Sequence, residues 1–117
     1  MRNSNLLISE LYEKKKGFSY LRAIHVYWDT CEDEYSKLHV DMVLCDYPFD
    51  KSNSEFKIKF TDVKDLKLGR MNNICTLLLD IYDISSHQME DINFRVTEEE
   101  ENLFSFYCKS FAFEVIS

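Results

Sequence analysis

The stretch from Leu103 to Val115, "LFSFYCKSFAFEV", carries the reading on which the fold depends. Phe104, Phe106 and Cys108 share one parity, as the alternating faces of a β-strand require, whereas Phe111, Phe113 and Val115 take the other. The apolar phase therefore flips at Lys109-Ser110. One bend or bulge at that point would return both sets to the same core, because a shift of one residue reverses the facing of everything beyond it.

The same period of two runs backwards through most of the chain. "EFKIKF" places Phe56, Ile58 and Phe60 on one face against Lys57 and Lys59, and Leu38, Val40, Met42 and Leu44 alternate with His39 and Asp41. From Phe18 to Trp28 the even positions, Arg22 excepted, form another apolar face. After Phe60 the phase changes, since Val63, Leu66 and Leu68 do not continue it, and a bulge or short turn is expected at "TDVKD". "ICTLLLDIYDI" is apolar on both faces and reads as a central strand, a helix being the alternative for so short a run. "SSHQMED" reads as a polar loop or single helical turn, and "INFRV" as a short strand. Polar segments mark the reversals, among them "DTCEDEYS" and "DYPFDKSN", which holds the only proline.

Only residues 4 to 16 carry a helical period, with Leu7, Ile8, Leu11 and Tyr12 on one side, Asn3 or Ser4 as the cap, and Lys14 to Lys16 in the last turn before Gly17. The expectation is an α+β fold in one domain spanning 1–117. One short N-terminal helix precedes about seven strands in a mainly antiparallel sheet, curved or sandwich-like.

Composition narrows function mostly by exclusion. The chain has 117 residues, a net charge of −7 and two glycines, Gly17 and Gly69. That charge disfavours direct nucleic-acid binding and anionic membranes, and the glycine count leaves no phosphate-cradling loop. No window approaches the length of a membrane helix, and the N-terminal apolar run is short for a signal peptide, so a cytoplasmic location is expected. Cys31, Cys45, Cys75 and Cys108 form no C-x-x-C pair and read as reduced thiols, all but Cys31 lying in apolar runs.

Candidate chemistry is sparse. His25 and His39 fall on neighbouring strands near Asp41, which would suit the start of a metal or acid–base site, but no third ligand is spaced to complete it. They read as partly exposed strand residues. His87 near Ser85 and Ser86 lacks a nucleophile elbow. The expectation is a protein without catalytic residues, metal or cofactor.

Uneven charge is the remaining signal. Between Asp80 and Glu101 eight acidic residues face a single Arg95. If the loop holding Asp83, Glu90 and Asp91 met the turn Glu98, Glu99, Glu100 and Glu101, one end of the sheet would be strongly negative and suited to a basic partner, with Tyr82 or Tyr107 as an aromatic anchor. A second acidic turn, Glu32, Asp33 and Glu34, is the alternative patch. Solvated acidic turns also serve solubility alone.

Two segments, "FKIKFTDVKDLKLG" and "INFRVTEEEENLFSFYCKSFAFEV", resemble small bacterial immunity proteins that accompany polymorphic toxins and contact-dependent growth inhibition systems. The likeness lies in Phe60, Val63, Leu66 and Leu68 after a hairpin, and in the late strand with Phe106 and Cys108. It implies a cytosolic, non-enzymatic protein that binds one cognate toxin domain, often a nuclease with a basic groove, and blocks its active site. The alternative from the residues alone is a small-ligand-binding or oligomeric β domain with a cavity lined by aromatic residues, Trp28 among them.

Overall fold

The computed structural model describes residues 4–29, 36–46, 54–71, 76–87 and 89–116. Helix α1 (Ser4–Lys15) is followed by β1 (Tyr20–Asp29), β2 (Lys37–Cys45), β3 (Glu55–Thr61), β4 (Lys64–Leu68), β5 (Leu79–Asp83), a 3-10 turn (Ser85–His87), β6 (Phe94–Glu98), β7 (Phe104–Cys108) and β8 (Ser110–Ile116). The strands form two antiparallel sheets of four, ordered β1-β2-β3-β8 and β4-β7-β6-β5. The α+β reading holds, with eight strands among the described residues instead of about seven. Asn3, the "DYPFDKSN" loop beyond Asp46, Cys31, Cys75 and the Glu32–Glu34 turn lie outside the described residues.

The phase changes after Phe60 and at Lys109-Ser110 have one structural cause. β3-β4 and β7-β8 form a single two-stranded ribbon in continuous register, in which Thr61 faces Ser110 and, past the bend, Lys64 faces Tyr107. The ribbon folds over at Asp62-Val63 and at Lys109, so each strand passes from one sheet to the other. Strands that switch sheets in this way make the corner of a two-layer β structure. Asp62 takes a positive φ of 54° at the corner, a conformation open to aspartate at modest cost. The Val63 amide donates to Leu38 (2.8 Å) and the Lys109 amide to Thr61 (3.1 Å), which ties down both sides of the fold-over. Beyond the bend the opposite face of each strand meets the core. Phe104, Phe106, Cys108 and Phe111 are accordingly all buried, with Phe113 packed at the margin.

Between the sheets Phe60 meets Phe106 edge to face at 5.0 Å, and Phe94 meets Phe111 at 4.9 Å. Val40, Met42, Leu44, Phe56 and Ile58 complete this layer, as their alternation requires. Cys45 and Cys108 are free, buried thiols, and burial pushes Cys108 up to about 12, so it stays protonated and inert.

Two strands depart from the sequence reading. β5 is not central, because it pairs only with β6. Its apolar character is explained by α1, which packs Ile8 and Leu11 into the core and covers the open edge of β5. The Ile81 amide donates to the Tyr12 hydroxyl (2.8 Å), and Lys15 Nζ donates to the Leu77 carbonyl (3.1 Å). β1 contains an irregularity between Leu21 and Ala23 that moves Leu21 onto the core-side face and breaks the even series at Arg22. Past it, Ile24, Val26 and Trp28 stand opposite Met42, Val40 and Leu38, yet Trp28 remains 62% exposed. Gly17 follows α1 with φ of 91°, the left-handed conformation expected of the residue after a helix.

Candidate functional site

The β6–β7 turn is built around one of its own glutamates. Phe94 and Val96 point to the core, and by the same alternation so does Glu98, which is only 1% exposed. A carboxylate can be buried only with strong hydrogen-bond partners. Here Oε1 accepts the amides of Glu100 (2.9 Å) and Glu101 (3.3 Å), while Oε2 accepts those of Glu101 (3.0 Å) and Leu103 (3.2 Å). From outside, Gly69 closes on the turn, donating its amide to the Leu103 carbonyl (2.8 Å) with its α-carbon hard against the Asn102 carbonyl. The four glutamates expected to share an exposed turn thus divide. Glu98 is an internal brace, and Glu99, Glu100 and Glu101 face solvent.

The exposed glutamates adjoin the outer face of the second sheet. Asp80 opposite Thr97, and Tyr82 opposite Arg95, belong to that face, which continues through Tyr107 and Ser105 to Lys64 and Lys67. Tyr82 donates its hydroxyl to Glu99 Oε1 (2.8 Å), to which Thr97 also donates (3.3 Å). Partial burial, then the Glu99 and Glu98 carboxylates, raise the Asp80 carboxyl above its usual range, with Lys15 opposing. The hydrogen bond to Glu99 likewise raises the Tyr82 phenol, and burial raises that of Tyr12. The face is polarised, with Asp80 and Tyr82 along β5 beside Glu99, and Lys64 and Lys67 along β4. A shallow cleft of about 260 Å³ beside the carboxylates runs between α1 and β5, with Tyr12, Lys15, Leu78 and Asp80 in its walls.

The other half of the expected acidic end is elsewhere. Leu79 pairs with Glu98 whereas Asp83 pairs with Phe94, so the loop after Asp83 leaves the opposite end of the strand pair. At the usual rise per residue, the two ends are roughly 14 Å apart. Asp83 caps the 3-10 turn by accepting the Ser85 amide (3.0 Å) and hydroxyl (2.7 Å), Asp91 pairs with Lys109 (3.4 Å), and Glu90 is exposed nearby. Successive turns of an antiparallel meander fall at alternate ends, which is why these residues do not join Glu99 to Glu101. Asp80, two residues before Tyr82 on one face, takes their place.

The histidines do not converge. His25 is exposed, and Tyr27 lies between the two rings at 5.5 Å from each. His39, expected partly exposed, is buried. Its Nδ1 accepts the Asp62 amide (3.3 Å) at the sheet corner, and Nε2 faces Asp29 Oδ2 (3.3 Å). This makes it a strut between β2 and the bend. Among the described residues no group of three or more His, Cys, Asp or Glu side chains is placed to hold a metal. An open groove of about 550 Å³ lies between α1 and β8, lined by Leu7, Phe111 and Phe113 among others.

A family model described as Immunity protein PIM8 matches residues 3–114, which extends the likeness across the N-terminal half as well. No curated protein and no solved structure matches the chain.

Proposed function

Because the chain belongs to the Immunity protein PIM8 family, we propose that it neutralises a cognate toxin domain by binding it through the acidic and aromatic end of the second sheet. Asp80, Tyr82, Glu99, Glu100 and Glu101 form that surface. The protein acts as a stoichiometric binder and not as a catalyst, in the cytoplasm of the cell it protects. Its target is a toxin domain with a basic substrate groove, of the kind a nuclease needs for phosphates, and the carboxylates occupy that groove in place of substrate.

The observation that supports this reading is the Asp80–Glu99 juxtaposition. The two carboxylates repel one another beside a turn braced from beneath by Glu98, Lys15 offsets this only in part, and a cation brought by a partner would offset it further. Tyr82 beside them supplies a large amphipathic side chain already fixed by its hydrogen bond, which lowers the ordering cost of binding.

The test uses the toxin domain that the chain neutralises, once one has been identified by co-purification. Replacing Glu99, Glu100 and Glu101 by lysine should cut the association rate by about tenfold or more at low salt and flatten its salt dependence. An unchanged rate and unchanged salt slope would remove this surface from the interface.

A further inference from the structure

The outer face of the second sheet has an order that its acidic end alone does not explain. Its strands run β4-β7-β6-β5, and their pairing sets the outward residues in level rows. One row is Lys64, Tyr107, Arg95 and Tyr82, and the next is Lys67, Ser105, Thr97 and Asp80. Among the described residues Lys64, Lys67 and Arg95 enter no ion pair. Lys67 and Arg95 are exposed and Tyr82 is 41% exposed, so a partner can reach across the face. Positive charge thus stands unmatched on β4 and β6, while Asp80 on β5 is crowded by Glu99.

Turned over about an axis parallel to its strands, this face is its own complement. The rotation exchanges β4 with β5 and β7 with β6, and leaves each row at its own level. Lys67 then meets the second copy's Asp80, Lys64 meets Tyr82, Arg95 lies on the ring of Tyr107, and Ser105 meets Thr97. Each contact occurs twice, as two-fold symmetry requires. An axis across the strands would instead stack β5 on β5 and β4 on β4, carboxylates upon carboxylates and lysines upon lysines. Charge therefore selects both the occupant and its orientation.

We propose that two copies of the chain associate face to face through this surface, about a two-fold axis along the strands above the gap between β6 and β7. The stacked sheets are then aligned as in a β-sandwich. The net charge of −7 on each copy opposes approach at long range. At physiological salt that repulsion is screened beyond about 8 Å, whereas the opposed side chains meet at contact distance. Asp80 and Tyr82 also belong to the surface assigned above to the toxin, so the dimer and the toxin complex exclude one another. That exclusion rests on the assignment; the dimer does not.

Four strands of five residues present roughly 300 Å² per copy, well below the roughly 800 Å² per partner of a standard interface. The dimer should therefore be weak and reversible, with a dissociation constant on the order of 100 μM. Sedimentation equilibrium of the full chain, without toxin, measures it. Lys67→Glu and Asp80→Lys should each weaken the dimer about tenfold or more, with the circular dichroism of the wild type. Combining the two reverses both members of the pair and should restore the constant to within about fivefold of the wild type. Within one chain these two residues lie three strand spacings, roughly 14 Å, apart, so rescue can arise only between copies. A wild-type chain monomeric at about 1 mM, far above that constant, would overturn the proposal. So would a dimer undiminished by Lys67→Glu, or a double variant that associates no better than the single ones. Adding the toxin domain should dissociate the dimer. A complex that keeps two copies paired would withdraw the acidic surface from the toxin interface, and so separates a failure of that assignment from a failure of the dimer.

Discussion

Replacing Glu98 by alanine removes the acceptor for the amides of Glu100, Glu101 and Leu103 and leaves a void where a fully buried side chain stood. Hydrogen bonds to a charged acceptor contribute about 1.5–3 kcal/mol each, and burying the carboxylate costs several kcal/mol in return. The net loss should be about 3–4 kcal/mol, a large share of the roughly 5–15 kcal/mol that holds a domain of this size together. Glu98→Gln keeps one acceptor oxygen but turns an NH₂ group toward backbone donors, and should lose about 2 kcal/mol. Glu100→Ala, one turn position away and exposed, should stay within about 0.5 kcal/mol of wild type. Urea unfolding followed by circular dichroism measures all three, with the denaturant slope expected to stay constant. Should Glu98→Ala lose less than about 1 kcal/mol, or no more than Glu100→Ala, the brace would not be a determinant of the fold.

Three further perturbations probe other parts of the structure. Tyr12→Phe deletes the hydroxyl that accepts the Ile81 amide, and should cost about 1 kcal/mol while speeding hydrogen exchange at Ile81; unchanged protection there would mean that α1 does not seal the β5 edge. Gly69→Ala drives a β-carbon into the Asn102 backbone carbonyl, and should destabilise by about 2 kcal/mol or more, since neither side of the contact is a yielding side chain; a neutral result in thermal unfolding would exclude that close approach. Asp80 has a carboxyl raised above its unfolded value, so its ionised form costs stability, and the cost grows as pH rises from the unfolded value through the folded one. Asp80→Asn should therefore gain a few tenths of a kcal/mol at neutral pH and nothing well below the unfolded value, while weakening the toxin complex; a variant that is less stable at neutral pH would reverse the sign of that argument.

Alternation makes β2 and β3 legible, and the parity change at Lys109-Ser110 marks the corner within the sequence itself, because a sheet core admits one phase at a time. The β5 assignment failed for a related reason. A strand apolar on both faces looks central, but a helix laid on its edge gives the same pattern. Glu98 was illegible within "EEEE", since four identical residues do not reveal which one continues the inward parity of Phe94 and Val96. That parity was nevertheless available, and extending it by one step from Val96 would have singled Glu98 out. Asp83, Glu90 and Asp91 do not meet Glu99 to Glu101, because nearness in sequence is not nearness in space. With one strand between them, the loop after Asp83 and the turn after Glu98 had to lie at opposite ends, and it is Asp80 that lies beside that turn.

The division of labour within the β6–β7 turn has a consequence for how such a protein evolves. Glu98 and Gly69 fix the backbone from within and behind, so the conformation of the turn owes little to the side chains of Glu100 and Glu101, whereas Glu99 also holds Tyr82 and Thr97. Glu100 and Glu101 can drift, gain charge or lose it at small cost to folding, while still being presented in one geometry. A lineage pressed to follow a changing toxin could therefore explore new specificities there without first losing a foldable chain.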